Sequence, residues 1–211
     1  AVLSPEIETL PERFAAAEGI ALPREVMGYY AVATNWIALY DRTAEGAGDL
    51  NAATLIHEAT HQSAFNTGLH RRFADTPRWV IEGLGTLFEA RGVWDSPRYT
   101  ARRERVSPER IAAFRAGESR RRRGWLGEML ASDARFREDP LAAYAEAWAL
   151  SFYLSETQPS AYGRYLRTTA AAEPFAQVQR EARLRAFTTH FGDNFSGLEQ
   201  QTERFLAENA W

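Results

Sequence analysis

Apolar and polar positions change period along the chain, and the change divides it. Residues 4–18 follow a helical spacing, with Ser4 before Pro5 as a start, Pro11 as an interruption and Gly19 as a stop. The stretch "MGYYAVATNWIALYD", 27–41, is rich in aromatic and β-branched residues and predicts two strands, 28–33 and 36–41, joined by a turn at Thr34-Asn35. From residue 51 onward the helical period takes over. A helix over 51–66 ends at Gly68, which suits a left-handed cap. Thr76-Pro77 opens a second helix running to Gly92. Further helices are predicted over 108–116, 124–133, 140–154, 160–169, 174–188 and 196–209, with "HFGDNFSG" as a break and His190 in a loop. The fold class expected is α+β, mostly helical, in one domain over 1–211. Its β-containing part covers about 1–48 and its helical part about 49–211.

Composition narrows the chemistry. The 211 residues carry a net charge of −3 and no cysteine, so nothing marks a nucleic-acid partner, a disulfide or a thiolate ligand. All 25 basic residues are arginine, which reads as the codon usage of a GC-rich genome. No apolar run approaches the roughly 20 residues of a membrane span. Cysteine-free sequence suits both cytoplasm and periplasm. A periplasmic or secreted location is the expectation, with a leader not visible in the chain.

The stretch "LIHEATHQSAF", Leu55 to Phe65, puts a polar trio inside apolar sequence. Residues i and i+4 share a helix face, so His57 and His61 can aim ring nitrogens at one ion, and zinc accepts such ligands. Glu58, turned about 100° from His57, stands beside that ion as a general base. A third ligand is required. Glu82 follows His61 after 20 intervening residues, among Trp79, Leu84 and Phe88, where an unpaired carboxylate is costly. Its alternatives are a solvent-facing position or a pairing with a nearby arginine. Gly83 and Gly85 allow this helix a close backbone approach. Glu89 suits either a hydrogen bond to a ligand histidine or a solvent-facing salt bridge. His70 follows the Gly68 cap and leaves the helix axis. Arg120 to Arg123 read as a solvated helix start pairing with Glu118 and Glu128.

H-E-x-x-H followed by W-x-x-E-G resembles the gluzincin zinc metallopeptidases. The stretch "HEATHQ…NTGLHRRFADTPRWVIEGLGTLFE", with "GYY…NWIALYD", "YAEAWALSFYL" and "FTTHFGDNFSGLEQQTERFL", resembles more closely a group of largely uncharacterised bacterial proteins with a peptidase-like domain. The likeness spans about 25–207. It implies a zincin-like fold with a small sheet before the motif helix, and one Zn2+ held by His57, His61 and Glu82. It also implies Glu58 as general base, a peptide or protein substrate, and a tyrosine supporting the oxyanion. Tyr144, 62 positions after Glu82, is that candidate, with Tyr153 as competitor on the same helix. Such peptidases carry a substrate-aligning edge strand, and "WIALYD" is expected to fill that place. A non-catalytic zinc-containing module, or a hydrolase of a non-peptide amide, are the alternatives.

Overall fold

The computed structural model describes residues 2–4, 27–40 and 48–209. The predicted first helix falls almost wholly outside them. The chain divides into two compact units, Ala1–Thr67 and Gly68–Trp211. The first unit thus groups the motif helix with the sheet.

In the first unit, strands β1 (Val2–Ser4), β2 (Gly28–Ala31) and β3 (Trp36–Tyr40) form one sheet in the order β1-β3-β2. β2 and β3 are antiparallel, with Tyr29 opposite Ala38, and β1 adds to β3 in parallel, with Leu3 opposite Leu39. Asn35 takes φ 62° in the connecting turn, a conformation asparagine tolerates better than most residues. Its backbone N–H bonds back to Ala31 and its side-chain oxygen accepts from the Tyr30 hydroxyl at 2.9 Å. The placing of β3 corrects the expectation for "WIALYD": the strand is central, flanked on both sides, and has no free edge to offer.

Helix α1 (Gly48–Asn66) carries the motif. Phe65 stacks on Tyr30 with ring centroids 5.8 Å apart, and the Gln62 amide donates to the Asn35 carbonyl at 2.7 Å. These contacts fasten the helix to the β2–β3 hairpin.

The second unit is helical: α2 (Arg78–Phe88), α3 (Arg91–Trp94), α4 (Pro108–Ala116), α5 (Trp125–Ala131), α6 (Arg135–Glu138), α7 (Pro140–Thr157), α8 (Pro159–Ala170), α9 (Arg180–Phe191) and α10 (Phe195–Asn209). Most starts follow the sequence signals. Asp139 caps α7 by accepting from the Ala142 amide at 3.2 Å, and Ser107 caps α4. Gly68 has φ 78°, the left-handed geometry expected after α1. The core gathers Trp79, Trp125, Met129, Trp148, Leu150 and Phe187, all fully enclosed. α7 is apolar on nearly every side because it runs through the middle of this core.

Four expectations change. α2 begins at Arg78 with Pro77 as its cap residue and ends at Phe88, so Thr76 does not cap it and Gly92 belongs to α3. α9 starts at Arg180, because residues 174–178 are held in irregular structure: Pro174 bridges Ala74, and the Val178 amide donates to Asp75 at 2.8 Å. His190 lies inside α9, its ring 2.9 Å from the Thr168 hydroxyl. Arg121 is not solvated. Its side chain is 7% exposed, lies over the Phe114 ring and faces Glu146 and Glu203, not Glu118 and Glu128.

Candidate metal centre

Local sequence sets the first half of the centre. Helical spacing stacks His57 and His61 on one face of α1, with Nε2 of each 2.9 Å from the other and the rings nearly perpendicular. Both are buried, as is Glu58. Two neutral imidazoles meeting through the same ring nitrogen require one to donate and one to accept. The same arrangement also places both nitrogens where one ion can take them together. The backbone of Gly28, at the start of β2, packs against this face. A Cβ there would lie 2.5 Å from Thr54 Cγ2, 2.9 Å from Leu39 Cδ2 and 3.1 Å from Glu58 Cγ. Only glycine lets β2 and α1 approach so closely, and the approach confines the Glu58 side chain.

The second half comes from α2. This helix buries Trp79, Val80, Gly83, Leu84, Thr86 and Leu87, and it also buries Glu82. Gly83 makes the packing possible: a Cβ there would meet Ser151 Oγ at 2.2 Å and the Ala147 carbonyl of α7 at 2.9 Å. The close-approach role expected of Gly83 is thus met on α7. The Glu82 carboxylate accepts from Arg78 Nε at 3.3 Å, the arginine pairing held open in the sequence. Tyr144, from α7, reaches the same two groups. Burial, and then the Glu82 charge, hold its phenol above the usual tyrosine range, while a hydrogen bond with Arg78 works the other way. Tyr153 is elsewhere, its hydroxyl donating to Gln201 at 3.0 Å and its ring packed on Phe205. Of the two tyrosines, Tyr144 is the one beside Glu82. Glu89 forms a salt bridge, with Arg110 donating to both its oxygens at 2.8 and 2.6 Å, but a buried one and not the solvent-facing one expected, since its side chain is 7% exposed.

His57, His61 and Glu82 each offer one ligand atom, and these atoms lie within 4.8 Å of one another. The buried group could hold a metal ion. Two nitrogens bound tetrahedrally at zinc distances stand about 3.3 Å apart, so the observed 2.9 Å needs only a small opening. Two imidazoles and a carboxylate are donors that suit zinc and other borderline divalent ions. His70, though fully buried, is not part of the group. Sequence reasoning did not single out Arg78. Its i, i+4 spacing from Glu82 was visible, but several arginines stood near enough to compete.

A protein-family description, "Protein of unknown function (DUF1570)", matches residues 51–176, from α1 to the segment after α8. The matched span contains all of His57, Glu58, His61, Glu82 and Tyr144. No curated protein and no solved structure matches the chain.

Proposed function

We propose that this chain, which belongs to the DUF1570 family of proteins of unknown function, is a zinc-dependent peptidase with a zincin-like fold. The observation that carries the reading is the buried group of His57, His61 and Glu82 with Glu58 buried directly after His57. A module that merely stored an ion would have no use for that second carboxylate.

Under this reading His57, His61 and Glu82 hold the ion. When bound, zinc supplies a Lewis acid that polarises a carbonyl and makes water more acidic. Glu58 accepts the proton of the attacking water on its carboxylate and returns it to the leaving amine. The close wall of Gly28 limits how far Glu58 can swing between those two tasks. β3 cannot align a substrate, since it is central. β2 has a strand on one side only among the described residues, and its first residue touches Glu58. An extended peptide therefore adds to β2 by main-chain hydrogen bonds, which fits a substrate recognised by its backbone.

The test is proteomic mapping of cleavage sites with zinc-loaded wild type and Glu58→Gln side by side. Metal content is measured on both. The expected result is equal metal with turnover reduced about 10²–10⁴-fold in the variant. Identical fragment sets from the two proteins would overturn the peptidase assignment and leave a metal-binding module.

A further inference from the structure

We infer that Arg78 is a positioning residue for the metal ligand Glu82, and that Tyr144 shares this task. The inference rests on the metal-centre reading above, though not on peptide hydrolysis.

Arg78 is an odd choice for the place it holds. It is the first residue of α2, where the positive end of the helix dipole disfavours a cation. An i, i+4 ion pair with the arginine on the N-terminal side is also the weaker orientation. Helix stability does not explain the residue. Its surroundings do. Nε donates to Glu82 Oε1 at 3.3 Å. The guanidinium carbon lies 5.2 Å above the Phe136 ring, and Phe136 meets Tyr144 edge to face at 5.6 Å. The Tyr144 side chain lies within interacting range of both Arg78 and Glu82, while Arg110, locked on Glu89, sits 5.6 Å from the Tyr144 ring centre. At its other end, the Arg78 backbone N–H donates to Asp133 at 3.0 Å. Backbone and side chain are thus both fixed.

A glutamate reaches a metal through three rotatable bonds, so a free carboxylate loses much of its affinity in becoming ordered. A guanidinium holding one carboxylate oxygen fixes the plane of the group and prepares it to offer an oxygen to the ion. The cost is repulsion between Arg78 and the ion. The Arg78 side chain is 44% exposed, so solvent screens that repulsion, and ordering is the larger effect. Tyr144 adds a neutral contact to the same carboxylate.

The experiment measures zinc affinity by competition with a chromophoric chelator, on metal-free protein, for wild type, Arg78→Ala, Arg78→Lys and Tyr144→Phe. Thermal melts of the metal-free proteins and visible spectra of their Co2+ forms are recorded alongside. Arg78→Ala is expected to weaken zinc binding about 10–100-fold, with Arg78→Lys in between and Tyr144→Phe weaker by about tenfold. The Co2+ spectrum should shift in Arg78→Ala, and the metal-free melts should change little. A purely structural arginine would move the melt and leave the affinity alone. Unchanged or tighter zinc binding by Arg78→Ala would overturn the inference while leaving the metal centre intact. Failure of the wild type to bind zinc or cobalt would overturn both. Zinc binding that follows the expected order without hydrolysis would support the inference and count against the peptidase reading alone.

Discussion

Gly83 shows how much can rest on one absent methyl group. α2 lies so close to α7 that a Cβ at this position would sit 2.2 Å from Ser151 Oγ and 2.9 Å from the Ala147 carbonyl. Ser151 could turn, but it is fully buried and its hydroxyl already accepts from Tyr162 at 3.1 Å. The carbonyl belongs to a helix in the centre of the core and cannot move alone. Gly83→Ala is thus an overpacking change, expected to cost about 1–3 kcal/mol despite the better helix propensity of alanine. Chemical denaturation of the two proteins would check it, and equal stability would mean that the helices separate without penalty. The next residue back is Glu82, so under the proposed metal-centre reading the same change should also loosen metal binding. The candidate ligands on α1 were readable because their spacing is local and fixed by helix geometry. Glu82 was readable as a carboxylate in an apolar face. The surroundings of Arg78 were not, because Phe136 and Tyr144 are brought to it from two later helices.

At the scale of elements, β2, β3 and most helices followed their local signals, while β1, whose Ser4 was expected to start a helix, and the pairing of neighbours did not. The alternation in "WIALYD" marks a strand, yet nothing in it tells a central strand from an edge one. β3 becomes central because β1, a three-residue strand more than 30 positions earlier, pairs with it. The start of α9 was misplaced for a similar reason. Asp75, from the loop before α2, caps the Val178 amide and pairs with Arg183 at 2.8 Å. Arg183 also holds Asp133 at 2.7 Å, and Asp133 accepts from the first amide of α2. One buried arginine on α9 therefore ties the approach to α2, the end of α5 and the segment 174–178 together. Its guanidinium is held above its usual range by these two aspartates against the opposing effect of burial. Arg183→Ala should destabilise by about 1–3 kcal/mol. That is less than the ~3–5 kcal/mol of a fully buried pair, because the Asp75 and Asp133 side chains stay 32% and 26% exposed. Thermal unfolding reads the loss directly. An unchanged melting temperature would mean that the network only follows the packing around it.

For the molecule as a whole, arginine supplies all the permanent positive charge, since no lysine is present. Several of these arginines form pairs that join segments distant in sequence, which is why charge patterning along the chain did not reveal them. Arg102 and Arg105, in a short turn of 3₁₀ helix, meet Glu156 near the end of α7 at 3.1 and 2.8 Å. Burial acts to raise the Glu156 pKa. The hydrogen bond and charge of Arg105, followed by those of Arg102, outweigh it and hold the carboxyl below its usual range. The sign of the pH effect follows. A carboxyl with a depressed pKa in the folded state stabilises the fold above its unfolded pKa, about 4.3 for glutamate. That contribution fades as the pH falls through the lower, folded value. Glu146 runs the other way: chiefly because it is buried, its pKa is raised, so its protonation on acidification does not favour unfolding. Glu156 is thus an acid-sensitive fastening between the 102–105 turn and α7. Glu156→Gln is expected to be less stable than wild type near pH 7 and to lose less stability between about pH 5 and 3, so that the two curves converge in acid. Denaturation midpoints measured across that range would show it. Parallel curves would mean that Arg102 and Arg105 place the turn without stabilising the ionised carboxyl.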